Sequence, residues 1–334
     1  MKLRDLFRHK LLEARVKTKS SEEGLVYAVS YDVNLSKIFL YVDGRENDVF
    51  LGDRWHTVTS LCTHNNWLYD GGYKYREDLG FVIDTITGKD VMERKNNPVH
   101  SLCSHNGKLY RGDSNGGIYE VSPFKLVAVR FGKVTTLCSH EGTLYDGGYY
   151  QGVYDTLRDD VGNKKVINKK KYVTYLCSGN NRLFGVDYKH NKYLYFEGVI
   201  FDVLKGKKIK GIRETLTSMC FHKDDVYYSY SDVIIGLNDE WLRHDKKGIQ
   251  VTAICSIPKE LKEQIIHKKN YGFDFNEVQR INPKGAIEYL THIVDYQERR
   301  RLIEQLFNCE TINEEMLNWL NNKEEDTMRK AAFY

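Results

Sequence analysis

One motif recurs along this chain and constrains its fold more than anything else in it. Val58 begins VTSLCTHNNWLYDGGY, Val99 begins VHSLCSHNGKLYRGDS and Val134 begins VTTLCSHEGTLYDGGY. Val173 begins VTYLCSGNNRLFGVDY, Leu216 begins LTSMCFHKDDVYYSYS, and Val251 begins VTAICS, after which the pattern stops. The anchoring residues are Cys62, Cys103, Cys138, Cys177, Cys220 and Cys255, spaced 41, 35, 39, 43 and 35 residues apart. A fixed motif at variable spacing fits strands joined by adjustable loops.

The unit parses physically. Val-Thr-Ser-Leu-Cys is a β-branched, apolar run and predicts a strand buried on both faces. His-Asn-Gly at 105–107 and Glu141-Gly142 predict tight turns, because Gly and Asn tolerate positive φ. Leu109-Tyr110 and Leu144-Tyr145 open a second strand, which Asp-Gly-Gly at 70–72 and 146–148 is expected to break. A third strand follows at Gly117–Tyr119 and Val153–Asp155, and a fourth, more polar one at Lys125–Val129. Four short strands in about 40 residues is the arithmetic of a β-propeller blade.

Residues 25–57 align with the second to fourth strands of the unit, whereas VTAICS supplies a first strand with no partners. Joined, they make one blade. The expectation is an all-β six-bladed β-propeller over 25–256, closed by N- and C-terminal strands in one blade, because an open array leaves edges exposed. Over these residues, about 70% of the chain, the repeat V-T-x-L-C-S-H-x-G-x-L-Y-D-G-G resembles β-propellers of the WD40-like or quinoprotein-like superfamily type. It lacks the Gly-His and Trp-Asp dipeptides of WD40 repeats and the combined double-glycine and tryptophan pattern of kelch blades. That resemblance implies a fold and no single function.

The flanks differ. Residues 1–24 place Leu3, Leu6, Phe7, Leu11 and Leu12 near helical spacing, an amphipathic arm with no secretory features. Residues 257–334 switch to helical patterns: Pro258 and Asn282-Pro283 are start signals, Asp274/Glu277 and Thr311/Glu314 are capping pairs, and Ile287, Leu290, Val294, Leu302 and Leu306 share one stripe. This α-helical extension covers either the propeller or a partner. No apolar run is long enough to cross a membrane. The expected setting is cytoplasmic, with reduced thiols; one of the seven cysteines, Cys309, lies in the tail.

Four repeats carry Cys-x-His: Cys62/His64, Cys103/His105, Cys138/His140 and Cys220/His222. Thiolate and imidazole two residues apart on a strand share a face, as a zinc site needs. Each pair recurs at the same place in different blades, so the reading carried forward is structural: buried thiols filling narrow space, with histidines at turns bonding nearby backbone or the following aspartate. Asp70 and Asp146 stand alone where calcium needs several oxygens. No nucleophile elbow, phosphate-binding loop or dinucleotide fingerprint appears in a suitable context. The chain is therefore expected to be non-enzymatic and to hold no metal or cofactor.

The formal net charge of +4 conceals an uneven distribution. Arg158–Lys171 carries +4, Lys205–Arg213 carries +5 and Arg243–Lys247 carries +2. Lys164, Lys165, Lys169, Lys170, Lys171, Lys205, Lys207, Lys208, Lys210 and Arg213 are the candidates for an acidic partner or a polyanion. Equally, lysines on outer strands guard sheet edges against pairing. Arg299, Arg300 and Arg301 are flanked by acids and ambiguous. Tyr73, Tyr75, Tyr149, Tyr150, Tyr227, Tyr228 and Tyr230 follow the second strand in several repeats, placed either to stack on sugars and grip peptides or to pack between blades. The leading expectation is a scaffold that binds a protein partner. The alternatives are a glycan- or nucleic-acid-binding module and a propeller enzyme with its site at the channel mouth.

Overall fold

The structure is a computed structural model that describes residues 23–32, 34–41, 48–92, 95–148, 153–155, 173–190, 196–238, 241–244, 249–271 and 280–291. Its strands run in chain order as β1 (Gly24–Asp32), β2 (Leu35–Tyr41) and β3 (Val49–Arg54); β4 (Thr57–His64), β5 (Trp67–Lys74), β6 (Leu79–Asp84) and β7 (Lys95–Asn96). Then come β8 (Val99–His105), β9 (Lys108–Asp113), β10 (Gly117–Glu120) and β11 (Lys125–Val129); β12 (Val134–His140), β13 (Thr143–Gly148) and β14 (Tyr154–Asp155). The last are β15 (Val173–Gly179), β16 (Arg182–His190), β17 (Phe196–Asp202) and β18 (Lys207–Ile212); β19 (Ser218–His222), β20 (Asp225–Tyr230), β21 (Val233–Gly236) and β22 (Trp241–His244); and β23 (Gln250–Ile257).

These strands form antiparallel sheets arranged as a propeller-like ring. Five sheets have four strands: β4–β7, β8–β11, β15–β18, β19–β22, and β23 with β1–β3. The sheet β12–β14 has three. Six complete blades were expected, so the count is corrected: five are complete among the described residues. The position of a fourth strand after β14 falls in residues 156–172, outside them. In the terminal sheet β1 pairs antiparallel with β23, Val26 opposite Cys255 and Ala28 opposite Ala253. The inner strands are neighbours in cyclic order, β4 beside β8, then β12, β15, β19 and β23, and β23 again beside β4.

The repeat explains the packing. Val58, Val99, Val134, Val173 and Val251 are fully buried, as strands covered on both faces require. Side chains of successive sheets interleave: Cys177, Phe184, Tyr188, Met219 and Tyr228 share one cluster, and Cys103, Tyr110, Val134 and Leu137 another. Most hairpin turns after the inner strands use the predicted chemistry, with positive φ at Asn106 and Gly107 and at Glu141 and Gly142.

Asp-Gly-Gly is not a break. β5 and β13 continue through it, with Asp70 opposite Ile83 and Asp146 opposite Tyr154. The glycines are there for close approach: a Cβ on Gly72 would meet the Thr57 carbonyl oxygen at 2.0 Å, and one on Gly148 the Lys133 carbonyl oxygen at 1.8 Å.

Contacts divide the chain into two units. One runs to Lys259 and excludes Asn65–Trp67; those three residues group with the chain from Glu260 onward. The second unit holds most of helix α1 (Lys259–Tyr271) and all of helix α2 (Pro283–Thr291). Asn282 caps α2, its Oδ1 accepting from the Gly285 N–H at 3.0 Å, with Pro283 at the first helical position. Its Nδ2 donates to Gln264 Oε1 at 2.6 Å and to the Asn66 carbonyl at 2.7 Å. Asn65 Nδ2 donates to Glu288 Oε2 at 2.8 Å, and Trp67 packs on Tyr289. The N-terminal arm up to residue 22 and the segments carrying Asp274/Glu277, Val294, Leu302, Leu306, Cys309 and Thr311/Glu314 lie outside the described residues. Among those residues no helix is long and apolar enough to cross a membrane.

Candidate functional site

The polar residues of the repeat fasten one sheet to the next. The histidine of each Cys-x-His closes an inner strand, and its Nδ1 bonds the hydroxyl of the serine that follows the cysteine in the next inner strand. The pairs are His64–Ser104 at 2.8 Å, His105–Ser139 at 2.9 Å, His140–Ser178 at 2.8 Å and His222–Ser256 at 3.0 Å. The expectation of a bond to local backbone or to the next aspartate did not include these serine partners. A second row uses the residue two before the cysteine: Ser60 Oγ accepts from the Leu102 N–H at 2.9 Å, Thr136 Oγ1 from Leu176 at 2.8 Å and Ser218 Oγ from Ile254 at 3.1 Å.

Where the histidine is missing, the partner serine is missing too. Gly179 stands in the histidine position and Phe221 in the next serine position; a Cβ on Gly179 would sit 2.0 Å from the Phe221 ring. Phe221 stacks on Phe184, so an apolar contact replaces the hydrogen bond at that seam. Ile257 and Thr63 hold the corresponding positions at the β23–β4 seam.

The six inner-strand cysteines are free thiols, all buried except the partly buried Cys255. Burial first, and neighbouring thiols second, push Cys62, Cys103, Cys177 and Cys220 well above the ordinary thiol range. Burial drives Cys138 and Cys255 up to about 12. At neutral pH these groups are thiols, poor nucleophiles and poor ligands. Among the described residues no cluster of three His, Cys, Asp or Glu side chains could hold a metal ion.

A third device lies farther out. Arg54 donates from Nε and Nη2 to Asp70 at 3.0 Å, Thr85 Oγ1 donates to Asp70 Oδ1 at 2.9 Å, and His56 Nε2 is 3.4 Å from Asp70 Oδ2. Burial opposes the Asp70 charge, but Arg54 and His56 outweigh it and hold the carboxyl below its usual range. Arg130 and Asp146 repeat this pairing, with Nε and Nη2 both 2.7 Å from the carboxylate. Each arginine stands four residues before the first valine of an inner strand. Sequence reasoning missed these pairs, although Arg54/Val58 and Arg130/Val134 repeat the spacing wherever Asp-Gly-Gly follows.

The inner strands enclose a cavity of about 170 Å³. It is lined by hydroxyl and apolar groups, with no carboxylate. Among its lining residues, His100 stands in place of threonine and Tyr175 in place of serine. Burial, with Lys133 adding to it, lowers His100 to about 4, so its ring is neutral at pH 7.

One surface gathers exposed aromatics. Antiparallel alternation puts the loops after second strands and the entries to inner strands at the same end of the sheets. There Tyr31, Trp55 and Tyr75 are 45%, 41% and 62% exposed. The Tyr75 N–H donates to Asn34 Oδ1 at 3.0 Å, linking the loops after β1 and β5. Lys37 lies 5.1 Å from the Tyr31 ring and 6.0 Å from Phe50, and Lys74 lies 5.8 Å from Trp55. Of the other tyrosines, Tyr73 packs near His100, Tyr227 and Tyr228 are buried, and Tyr230 is half-buried beside Tyr228. Tyr149 and Tyr150 lie outside the described residues.

Of the basic candidates, Lys205, Lys207, Lys208 and Arg213 are exposed on and around outer strand β18. Lys210 is half-buried, donating to the Leu237 carbonyl at 2.8 Å and lying 5.8 Å from the Tyr228 ring. Lys164, Lys165, Lys169, Lys170, Lys171, Arg158 and Arg299–Arg301 lie outside the described residues.

No protein-family model matches the chain, and no curated protein does. Among solved structures it is similar to the WD40 β-propeller domain of Doa1, at 12% identity and TM-score 0.42, covering 64% of this chain and 82% of that one. It is also similar to the computationally designed Ika8 protein, at 17% identity and TM-score 0.38, covering 70% of this chain and 80% of that one. These are likenesses of fold.

Proposed function

We propose that this chain is a non-catalytic interaction module. A ring closed through the β1–β23 pairing presents the Tyr31–Trp55–Tyr75 surface to a protein partner in a cytoplasmic setting. The observation that carries the reading is that surface, where three exposed rings and two lysines lie at the same end of two adjacent sheets. Aromatic side chains with an apolar body and a polar tip dominate protein interfaces. The rest of the repeat is accounted for otherwise: its hydroxyls and imidazoles fasten sheets, and its thiols are protonated. Among the described residues that line the cavity, no carboxylate stands beside the neutral His100 ring.

The test is affinity capture with wild type, with a Tyr31→Ala/Trp55→Ala/Tyr75→Ala variant, and with a Lys205→Ala/Lys207→Ala/Lys208→Ala variant. Loss of one stoichiometric protein only in the aromatic variant supports the reading. Loss only in the lysine variant, with nucleic acid in the captured material, replaces it with the polyanion reading. The exposed lysines of β18 are the observation that favours that second reading.

A further inference from the structure

At two seams a buried arginine from the end of one sheet meets an aspartate in the second strand of the next. At the seam between β4–β7 and β8–β11 the aspartate position holds Arg111, and the arginine position, four residues before Val99, holds Lys95. The sign of the acidic member is reversed and a cation remains opposite it in the sequence. Arg111 is 1% exposed, yet its Nε and Nη1 have no hydrogen-bond partner. Its guanidinium lies 4.9 Å from the Tyr119 ring and 5.1 Å from the Phe124 ring, which stack on each other. Ring contacts offset part of the cost of burial but accept no N–H bond. The nearest acid along the strand is Asp113, two residues on. Its Oδ1 accepts from the Asn115 and Gly117 N–H groups, and its Oδ2 is buried and unpartnered.

We propose that Arg111 is the anchor of a binding site for a small oxyanion, a carboxylate or phosphate group, in the seam where Asp70 and Asp146 stand in the equivalent places. The oxyanion accepts from the unpartnered Arg111 N–H groups. The protonated oxygen of a hydrogen phosphate would donate to Asp113 Oδ2. Access is past Phe124, which is 43% exposed and forms the outer wall. This site is separate from the aromatic surface and stands or falls apart from it.

The test is titration of the full chain with phosphate and with acetate by calorimetry, with chloride at matched ionic strength as the control. The expected result is one saturable site for at least one oxyanion and none for chloride; which oxyanion binds decides between phosphate and carboxylate. Arg111→Gln is expected to weaken binding at least roughly tenfold, the usual scale of a lost charge-assisted bond. Arg111→Asp restores the acid found in the equivalent sheets, so it should fold and show no oxyanion site. Absence of saturable binding to wild type overturns the proposal, and so does unchanged binding in either variant. If Arg111→Gln does not fold, the wild-type titration and Arg111→Asp still decide it.

Discussion

Asp70→Ala removes the one carboxylate that three buried groups share. Arg54 loses the acceptor for its Nε and one of the two for its Nη2, which keeps the Thr85 carbonyl; Thr85 loses the acceptor for its hydroxyl, and His56 loses its charged neighbour. Arg54 is 7% exposed and Asp70 fully buried, so water does not replace the lost bonds. Breaking a buried pair from one side costs about 3–5 kcal/mol, because a charge is left unpaired. With two-state unfolding this lowers the melting temperature by about 6–20 °C, at about 2–4 °C per kcal/mol for a unit of this size. Differential scanning calorimetry and urea unfolding read it directly. Replacing both partners, Arg54→Met with Asp70→Leu, should recover much of the loss, since an apolar pair of similar volume is tolerated. Asp53→Ala, at the exposed contact 4.0 Å from Lys37, should cost no more than about 0.5 kcal/mol. The pH dependence follows from the depressed carboxyl. Its folded value lies below its unfolded value, so the stabilisation is complete above the unfolded range near about 4 and is lost as pH falls through the folded value. The gap between wild type and Asp70→Ala should therefore hold from pH 7 to about 5 and narrow below about 4. A loss under about 1 kcal/mol at pH 7 would place this pair with surface ion pairs and refute the reasoning.

Gly179→Ala should destabilise by about 1–3 kcal/mol, because its Cβ meets the Phe221 ring, and adding Phe221→Ser should restore most of that loss in urea unfolding. His105→Ala, which removes one seam bond to Ser139, should cost about 1 kcal/mol by the same assay, and Ser139→Ala about the same. The six inner-strand thiols should react with an aromatic disulfide reagent only after unfolding; fast native labelling of any of them would contradict their raised pKa values. Deleting residues 251–257 removes the partner of β1 and should abolish cooperative unfolding of the sheets.

Much of the fold was legible because a propeller repeats its local chemistry. The Val-x-x-Leu-Cys run, the turn residues at 105–107 and the partnerless VTAICS strand all carry their meaning within a dozen residues. What was not legible needs neighbours that lie far along the chain or in another sheet. Asp-Gly-Gly reads as a turn in isolation; only the Thr57 carbonyl from the sheet's own inner strand shows why Gly72 has no side chain, and only Arg54 shows why Asp70 is buried. The His–Ser pairs were visible as residues but not as partners, since each joins positions 34–40 residues apart. Gly179 and Phe221 were the available clue, two departures from the motif that make sense only together. The blade count failed at β12–β14, where the expected polar strand falls in the lysine-rich stretch after residue 155. The aromatic surface was half legible: Tyr75 was singled out, whereas Tyr31 and Trp55 lie outside the strict repeat.

The most direct measurement of the central claim is hydrogen exchange of the full chain, alone and bound to its captured protein partner. The account predicts new protection at residues 31–35, 54–57 and 73–78, with exchange along β18 unchanged. Protection confined to residues 205–213, or absent from the Tyr31–Trp55–Tyr75 surface, would contradict it.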